Sequence, residues 1–336
     1  MNTILVTGGA GFIGSNFVPW FIQKYPDYRV VNLDLLTYAG SLDNLLEVSD
    51  NPNHIFIEGD IRDRELVKSI FKEYDIRGII HFAAESHVDN SIKNPSVFIE
   101  TNINGTFELL NAAYRYWFTS PSKPKKGYEN CRFHHISTDE VYGSLGESGL
   151  FRETTPYAPN SPYSASKASS DMLVRSYNET YGLNTVITNC SNNYGPKQHD
   201  EKLIPTIIRN ALNSNPIPIY GDGKNIRDWL YVLDHCKGID IVYHKGKSGE
   251  TYNIGGKNER TNIQIATQIC EILDELIPKK DGSYKEQITF VEDRAGHDRR
   301  YAIDATKIEQ NLGWKAKETF DTGIIKTIKW YIDRYR

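Results

Sequence analysis

The sequence contains few cysteines and no long apolar run. Cys131, Cys190, Cys236 and Cys270 are widely separated and form no Cys-x-x-Cys pair or Cys/His cluster, which argues against a zinc site and predicts buried, reduced thiols. The apolar N-terminal stretch is interrupted by glycine, and no segment approaches the roughly 20 apolar residues of a membrane-spanning helix. We therefore expect a cytoplasmic protein with no membrane partner and no bound metal.

An excess of positive charge is also lacking. The 336 residues include 39 Lys and Arg against 43 Asp and Glu, which gives a net charge of -4. A protein with this balance has no overall basic field to hold nucleic acid or an anionic membrane, although local basic groups can still bind a small anion. The length allows one large domain or two lobes around a buried core.

Short apolar segments alternate with helix-length amphipathic segments through the first half of the chain. The strand-like segments are residues 3–7, 29–33, 54–57, 78–82, 133–136 and 185–188. Near-continuous apolar strands separated by helices are typical of a parallel sheet that is covered on both faces. We therefore expect an α/β fold with a doubly wound parallel sheet, mainly over residues 1–190.

The alternation breaks down beyond about residue 190. Proline and glycine interrupt residues 216–223, and strands no longer alternate regularly with helices. This change predicts a smaller, discontinuous lobe over residues 191–336 that binds the substrate. Segments at roughly 233–255 and 300–325 are expected to return to the first domain.

A glycine-rich turn follows the first predicted strand and precedes a helical pattern. Gly8, Gly11 and Gly14 form a Gly-x-x-Gly-x-x-Gly run that also includes Phe12 and Ile13. Glycine permits a tight turn and lets backbone N–H groups approach a pyrophosphate at a helix N-terminus. The run alone is weak evidence, but its position directly after the first strand predicts a Rossmann-type dinucleotide site.

Acidic and small residues end the next strands. Asp34 ends the second strand, where a carboxylate can accept hydrogen bonds from the ribose 2′-hydroxyl of NAD and would repel the 2′-phosphate of NADP. Asp60 and Ile61 end the third strand and suit the adenine edge. Ala83 and Ala84 end the fourth, where small side chains let a dinucleotide pass close to the backbone. The predicted cofactor is therefore NAD.

Tyr163 and Lys167 are four residues apart in a helical pattern that begins near Pro162, so both side chains project from one face. An unperturbed tyrosine has a pKa of about 10. A nearby ammonium at an effective dielectric near 20 could favour the phenolate by up to about 4 kcal/mol. We expect a lowered pKa that makes Tyr163 a base for an alcohol or sugar hydroxyl.

Two consecutive carboxylates follow the fifth predicted strand. Asp139 and Glu140 come after Ser137 and Thr138, at the edge where open α/β sheets bind ligands. Acidic residues in such a position are commonly helix caps or turn formers. A plain dehydrogenase needs only the tyrosine and the lysine, so the pair predicts acid and base chemistry beyond an oxidation.

Taken together, these features resemble the extended short-chain dehydrogenase/reductases that modify nucleotide sugars. The likeness rests on the glycine turn, Asp34, Thr138, Tyr163 and Lys167. Residues 138–143 resemble most specifically the dTDP-glucose 4,6-dehydratase family. The likeness continues through residues 83–89, 189–196, 201–205, 226–232 and 293–298, so it spans essentially the whole chain.

The resemblance implies NAD-dependent dehydration of dTDP-glucose to dTDP-4-keto-6-deoxyglucose, in deoxysugar biosynthesis of the rhamnose type. Tyr163 would take the proton of the sugar 4-hydroxyl, with Thr138 hydrogen-bonded to the same oxygen, while C4 is oxidised by NAD. Glu140 would remove the acidified C5 proton and Asp139 would protonate the departing 6-hydroxyl, before hydride returns to C6. Lys167 would also hydrogen-bond the nicotinamide ribose.

The resemblance also implies binding residues at the matching positions. The expected NAD contacts are Gly8, Gly11, Phe12, Ile13, Gly14, Asp34, Leu35, Thr37, Asp60, Ile61, Ala83, Ala84, Ser86, Thr101, Tyr163, Lys167 and Asn193. The expected contacts of the nucleotide-sugar substrate are Ser86, Thr138, Asn192, Lys202, Leu203, Pro218, Ile219, Tyr220, Arg227, Asn262, Asp293 and His297. Asn192, Lys202 and Arg227 would address the diphosphate, since arginine suits paired phosphate oxygens.

Two segments depart from the family pattern. Ala295 stands where the family run 293–298 has proline, a small loss of loop rigidity. Residues 196–200 replace a more apolar stretch containing an aromatic residue and proline, so the contacts of that loop are undecided. The resemblance further implies a homodimer through a four-helix interface that includes the helix of Tyr163 and Lys167.

Other functions stay open on the sequence alone. A 4-epimerase, a UDP-glucuronate decarboxylase or a dehydratase for a CDP- or GDP-sugar shares the same fold and oxidation, although an epimerase has no need of Asp139 and Glu140. A non-catalytic NAD sensor predicts a degraded Tyr/Lys pair, whereas both residues are present. The choice of nucleotide base depends on a few pocket contacts that no short motif reveals.

Overall fold

The computed structural model describes residues 2–293 and 297–335. The strands are β1 (Asn2–Thr7), β2 (Tyr28–Asp34), β3 (His54–Glu58), β4 (Gly78–His81), β5 (Phe118–Ser120), β6 (Lys123–Pro124), β7 (Arg132–Thr138), β8 (Thr185–Cys190), β9 (Asn192–Tyr194), β10 (Ile217–Tyr220), β11 (Ile226–Tyr231), β12 (Thr251–Ile254), β13 (Glu259–Thr261) and β14 (Ile288–Val291). The helices are α1 (Phe12–Lys24), α2 (Arg64–Tyr74), α3 (Val88–Lys93), α4 (Pro95–Phe98), α5 (Thr106–Trp117), α6 (Pro162–Tyr181), α7 (Leu203–Leu212), α8 (Val232–Lys245), α9 (Asn262–Leu276), α10 (Thr306–Leu312) and α11 (Phe320–Tyr335). Short 3-10 helices cover Leu42–Val48, Asp139–Tyr142 and Tyr284–Gln287, and a π-helical stretch, Ile99–Gly105, joins α4 to α5.

Seven parallel strands form the main sheet, in the order β12-β8-β7-β4-β1-β2-β3. All six strands that the sequence predicts belong to it, which confirms the doubly wound α/β fold. The strand order reverses direction between β1 and β4. Ligands of open α/β sheets bind at such a switch point, outside the carboxyl ends of the strands.

Helices cover both faces of this sheet, which explains why its strands are apolar almost throughout. Ile4 and Val6 of β1 pack on one side with Phe17 of α1, whereas Leu5 packs on the other side with Phe71 of α2. Helix α8 completes the first layer, and α5 and α6 complete the second. Successive side chains of a strand point to opposite faces, so a strand buried on both sides shows no polar alternation.

A second core lies between α7, α9 and α11, where Ile207, Ile269 and Ile328 are fully buried. Two short sheets, β10-β14 and β13-β11-β9, belong to this smaller lobe. The segment with α8 and β12 instead joins the main sheet, and α10 packs there through Ile308 against Ile254. The boundaries that the sequence predicts for the two domains stay a prediction.

All four cysteines are buried and unpaired, as the sequence predicts. Among residues 2–293 and 297–335, no three His, Cys, Asp or Glu side chains group in a way that could hold a metal ion. None of the helices within those ranges combines the length and the apolar character that crossing a bilayer requires.

Candidate active site

The glycine turn places β1, β4 and α1 in close contact. Gly8 has φ +74, and a Cβ atom there would lie 2.5 Å from the backbone nitrogen of Ala83. A Cβ atom at Gly14 would lie 2.3 Å from the carbonyl oxygen of Gly8. At Gly11, in contrast, a Cβ atom would meet only the Gly8 carbonyl oxygen, at 3.4 Å, so the space in front of this residue is open.

The N-terminus of α1 faces this open space without a competing side chain. Its N-cap is Gly11, which has no side chain that could cap the first backbone N–H groups, and the first turn contains no acidic residue. The first backbone N–H groups of a helix lack intrahelical partners, and the helix dipole makes this end positive. The turn therefore fits a diphosphate group.

Asp34 ties the glycine turn to the end of β2. Its carboxylate accepts hydrogen bonds from the backbone N–H groups of Ala10 and Leu36, both at 2.9 Å. Burial raises the pKa of Asp34, and these backbone hydrogen bonds oppose the rise. The side chain is thus held at the rim of the same open space, where the sequence predicts a ribose contact.

A cavity of about 330 Å³ runs along the carboxyl edge of the sheet. Every residue of the expected NAD set lines it, and so do Thr138, Asp139, Glu140, Asn192 and Lys202. Sequence reasoning missed further lining residues, which are Leu33, Ala39, Gly40, Gly59, Phe82, Glu85, Ile136, Ser137, Cys190, Ser191, Gln198, His199 and Glu201. Many of these flank a predicted strand end, which is the signal that could have found them.

Thr138 ends β7 and caps the 3-10 turn that carries the two acidic residues. Its Oγ1 accepts a hydrogen bond from the backbone N–H of Glu140 at 3.3 Å and donates one to Oδ1 of Asp139 at 3.4 Å. Asp139 is 1% exposed, whereas Glu140 is half-buried. Two neighbouring carboxyl groups thus occupy different environments.

Burial raises the pKa of Asp139 well above its usual value, and the nearby Glu140 and Asp228 raise it further against the opposing effect of Arg227. Within the described residues, Oδ2 of Asp139 has no hydrogen-bond partner. A buried carboxylate with one unpaired oxygen is costly, so the neutral acid is the favoured form. Asp139 is therefore placed to donate a proton to a group that enters the cavity.

Tyr163 is the second residue of α6, which begins at Pro162 after the capping residue Ser161. The expectation that its pKa is lowered is wrong for this structure, because burial raises the pKa of Tyr163 well above 10 and Glu140 adds to the rise. A hydrogen bond with Thr138 acts in the opposite direction. The desolvation of a phenol at the base of the cavity thus outweighs the charge that the sequence reasoning considered.

Lys167 lies one helical turn after Tyr163 and is 4% exposed. Its Nζ donates a hydrogen bond to the carbonyl of Ile136 at 2.9 Å and lies 3.4 Å from Nε2 of His135. Burial lowers the pKa of Lys167 to about 8, although Asp171 raises it in part. The lysine therefore retains its charge at neutral pH by only a small margin.

Comparison with known proteins places this site in a family. Residues 5–327 match the family model described as GDP-mannose 4,6 dehydratase. The chain is 55% identical over 333 residues to the dTDP-glucose 4,6-dehydratase of Xanthomonas campestris, across 99% of this chain and 93% of that protein. The crystal structure of the Bacillus anthracis dTDP-glucose 4,6-dehydratase in complex with NAD matches with a TM-score of 0.86 and 47% identity, over 99% of this chain and 97% of that chain. DesIV from Streptomyces venezuelae, a dTDP-glucose 4,6-dehydratase solved with NAD and TYD bound, matches with a TM-score of 0.88 and 45% identity, over 98% of this chain and 97% of that chain. The chain belongs to the dTDP-glucose 4,6-dehydratase family.

Membership of the dTDP-glucose 4,6-dehydratase family confirms the resemblance drawn from the sequence. In this family member, the smaller lobe carries the remaining residues that are expected to bind the substrate. Arg227 lies on β11, with its guanidinium 4.2 Å from the centre of the Tyr301 ring. It donates hydrogen bonds to the carbonyls of Ile226 and Asp298 at 2.7 and 2.9 Å. Because Arg227 also lowers the pKa of Asp139, it lies near the 3-10 turn that carries the two carboxyl groups.

Ser86, Thr138, Asn192 and Lys202 line the cavity, whereas the remaining expected substrate contacts of this dehydratase-family member do not. Those remaining residues are Leu203, Pro218, Ile219, Tyr220, Arg227, Asn262, Asp293 and His297. Pro218 and Tyr220 share one face of β10, while Ile219 faces the core of the smaller lobe and is 1% exposed. Nδ1 of His297 lies 2.6 Å from Oδ1 of Asp293, and the imidazole ring packs edge-on to the ring of Tyr220. Leu203 is partly buried against the same core.

Asn262 begins α9, and its Oδ1 is buried without a hydrogen-bond partner among the described residues. Asn262 belongs to the expected nucleotide pocket, where its unpaired amide oxygen could accept a hydrogen bond. The departure from the dehydratase family pattern at Ala295 lies outside the described residues. The site roles in this lobe stay predictions.

The second departure from the dehydratase family pattern, residues 196–200, has well-defined contacts. Lys197 adopts φ +68 and its Nζ bonds the carbonyls of Ser15 and Asn44 and the carboxylate of Glu47, at 3.2, 2.9 and 2.7 Å. On the other side, the hydroxyl of Tyr331 donates to the carbonyl of Gln198 at 2.5 Å. Residues 196–200 therefore connect α1 and the 3-10 helix Leu42–Val48 to α11. Gln198 and His199 of the same loop line the cavity.

Proposed function

We propose that this protein is an NAD-dependent hydro-lyase that converts dTDP-glucose to dTDP-4-keto-6-deoxyglucose for deoxysugar biosynthesis. The observation that carries the proposal is the buried, neutral acid Asp139 beside the half-buried Glu140 at the carboxyl end of β7. An elimination of water needs an acid at O6 and a base at C5 in one site. Bound NAD supplies the hydride acceptor for C4 and the hydride donor for C6.

The residues around the glycine turn fit this cofactor. The uncapped N-terminus of α1 and the open space at Gly11 suit the diphosphate, and Asp34 lies at the rim for the ribose. Asp60 holds Arg62 through two hydrogen bonds of 2.8 Å near the expected adenine edge. NAD is therefore assigned to this cavity.

The oxidation at C4 is assigned to Tyr163, Thr138 and Lys167. Tyr163 takes the proton from O4, and Thr138 hydrogen-bonds the same oxygen. Since burial raises the pKa of Tyr163, its phenolate depends on positive charge nearby. That charge is assigned to Lys167, which lies on the next turn of α6 and lines the same cavity. Lys167 also holds the nicotinamide ribose.

The elimination is assigned to the carboxyl pair. Glu140 removes the C5 proton, which the neighbouring 4-keto group has acidified. Asp139 gives its proton to O6 so that water leaves, and Glu140 returns a proton to C5. The different burial of the two groups supports this division, because the more buried carboxyl keeps its proton.

Substrate binding is assigned to two groups of side chains. Asn192, Lys202 and Arg227 address the diphosphate, with Ser86 and Thr138 nearer the sugar. The base and the remaining nucleoside contact Leu203, Pro218, Ile219, Tyr220, Asn262, Asp293 and His297. Arg227 supports this arrangement, because it lies near both the smaller lobe and the catalytic turn.

A turnover screen with dTDP-, UDP-, CDP- and GDP-glucose tests the function. The expected product from dTDP-glucose is a 4-keto-6-deoxy sugar, detected by its absorbance in alkali. Formation of UDP-galactose from UDP-glucose would instead identify a 4-epimerase. Preferred turnover of a CDP- or GDP-sugar would retain the dehydration and reassign the base.

We also infer a cytoplasmic homodimer. Ile92, Ile99, Phe107 and Met172 are exposed apolar side chains on α3, the π-helical stretch, α5 and α6, and such a set supports a helical interface between two copies. Four unpaired thiols suit a reducing compartment. Light scattering at several concentrations tests the dimer, and replacing Met172 by Lys should shift it towards monomer.

A further inference from the structure

Asp171 is a buried carboxylate that the proposed mechanism does not use. It lies on α6 one turn after Lys167 and two turns after Tyr163, so the three side chains share one face of the helix. Asp171 is 2% exposed. A carboxylate without access to water is rare unless it is paired, so its partners indicate its purpose.

Three neutral donors hold one oxygen of this carboxylate. Oδ2 accepts hydrogen bonds from Oγ of Ser137 and from the hydroxyl of Tyr157, both at 2.9 Å, and from Nδ2 of Asn189 at 3.5 Å. These donors come from β7, β8 and the loop before α6. They fix the carboxylate in place and favour its charged form.

The other oxygen of the Asp171 carboxylate and the ammonium of Lys167 both lie close to one nitrogen of a histidine ring. Nε2 of His135 lies 3.2 Å from Oδ1 of Asp171 and 3.4 Å from Nζ of Lys167. His135 itself is fully buried, and burial lowers its pKa well below the usual value, so it stays neutral. The ammonium and the carboxylate therefore both approach the same nitrogen of one neutral ring.

The pair is not explained by stability. Burial lowers the pKa of Lys167 to about 8 and raises that of Asp171 to about 6, so desolvation outweighs the attraction for both partners. At pH 7 both groups are mainly ionised, because the pH lies below the folded pKa of Lys167 and above that of Asp171. Keeping each of them ionised in the folded protein therefore lowers the free energy of unfolding. Apolar residues of similar volume commonly replace such a pair without loss of stability.

We propose that Asp171 is a positioning residue that keeps the ammonium of Lys167 charged and aimed at the Tyr163 end of the cavity. This inference rests on the proposed function, in which that charge favours the Tyr163 phenolate. The other titratable groups that interact with the pair are His81, His135, Tyr142, Tyr157 and Cys190. Burial keeps the two histidines and the thiol neutral, so Asp171 supplies the negative charge among these neighbours.

The first test measures the titration of Lys167 itself, with or without turnover. Protein labelled with ¹³C at lysine Cε gives a Lys167 signal that is assigned from its loss in Lys167→Arg. In the wild type we expect a midpoint near 8 and a smaller step near 6 as Asp171 takes up a proton. A midpoint well below pH 7 in the wild type overturns the inference without any variant of Asp171, because Lys167 would then be uncharged at neutral pH despite the nearby carboxylate.

The second test compares Asp171→Asn with Tyr157→Phe, which removes one neutral donor to Asp171 and keeps its charge. The midpoint of Lys167 should fall by about 1–3 units in Asp171→Asn and stay in place in Tyr157→Phe. Since the charged lysine is the active form, the alkaline limb of kcat should move to lower pH by the same amount. Asp171→Glu retains the charge and should restore the limb.

Two results would show that Asp171 only supports packing. The Lys167 midpoint would either shift equally in Asp171→Asn and Tyr157→Phe, or stay in place in a folded Asp171→Asn protein. Failure of the proposed function is a different result. In that case the wild-type protein dehydrates none of the four nucleotide sugars, while the NMR titration still reports on Lys167 and Asp171.

Discussion

Nζ of Lys197 lies 2.7 Å from a carboxylate oxygen of Glu47 and joins the loop at 196–200 to the 3-10 helix that follows β2. The same Nζ bonds the carbonyls of Ser15 and Asn44. Lys197 is only 11% exposed at its side chain although Glu47 is 66% exposed. The ammonium is thus a buried link between three segments around the expected NAD diphosphate.

Replacing Lys197 by Met should loosen NAD retention. The variant keeps the aliphatic stem but loses the hydrogen bonds of a charged donor, which contribute about 1–3 kcal/mol. We expect a roughly tenfold weaker NAD affinity with a smaller effect on kcat, measured by fluorescence titration of the apoprotein. Glu47→Gln is the matched control, since it leaves both carbonyl contacts in place and should have a clearly smaller effect. Equal NAD affinity in Lys197→Met and wild type would contradict the role of this contact.

Replacing Glu140 by Gln should separate oxidation from elimination. The amide cannot remove the C5 proton, while Tyr163, Thr138 and Lys167 still support oxidation at C4. We expect reduced NAD to form at the normal amplitude and exchange of the C5 proton with solvent deuterium to fall roughly 10²–10⁴-fold. Unchanged exchange, measured by mass spectrometry of recovered sugar, would remove Glu140 from the role of base.

The raised pKa of Asp139 predicts how dehydration depends on pH. In its proposed role Asp139 acts in its protonated form, so its contribution is present below its folded pKa and is lost as the pH rises through that value. Burial raises the pKa, so dehydration should persist well above the usual range of a carboxylic acid. Asp139→Asn should lose roughly 10²–10⁴-fold in elimination and retain C4 oxidation. A wild-type dehydration rate that already declines as the pH rises through about 4, the usual range of a carboxylic acid, would refute the assignment.

Gly8 should tolerate no side chain. Gly8→Ala places a Cβ atom 2.5 Å from backbone at Ala83 and forces alanine into φ +74, at a combined cost of about 2–5 kcal/mol. We expect a matching loss in the free energy of unfolding and loss of NAD binding. Gly146→Ala is the control, since its Cβ atom would have no neighbour within 4 Å, and its unfolding should change by about 0.5 kcal/mol or less. Chemical denaturation measures both.

The fold and the cofactor side of the site were predictable because each depends on local pattern. Six apolar strands define the sheet, and parallel strands bring their carboxyl ends to one edge, so the ends at Asp34, Ala83 and Thr138 had to meet. The segment that forms β12 does not stand out as a separate apolar strand in the sequence, because it follows α8 in the less regular half of the chain. Its place beside β8 is set by tertiary packing around Ile254.

The electrostatics of the site were less predictable, because they depend on depth rather than order along the chain. The spacing of Tyr163 and Lys167 suggested that charge would dominate, yet burial moves both pKa values towards the neutral forms. Asp171 drew no attention in the sequence, since an acidic residue on a helix is usually exposed. Only the packing of α6 on β7 and β8 shows it to be enclosed.

The attachment of the 196–200 loop at both ends has a practical consequence for protein engineering. The hydroxyl groups of Tyr331 and Tyr335, in the last two turns of α11, hydrogen-bond Gln198 and Asp200. Trimming the C-terminus, or fusing a bulky tag directly after α11, therefore disturbs the wall of the NAD cavity. Protein prepared for enzymology should carry any C-terminal tag on a long linker and keep both tyrosines in place.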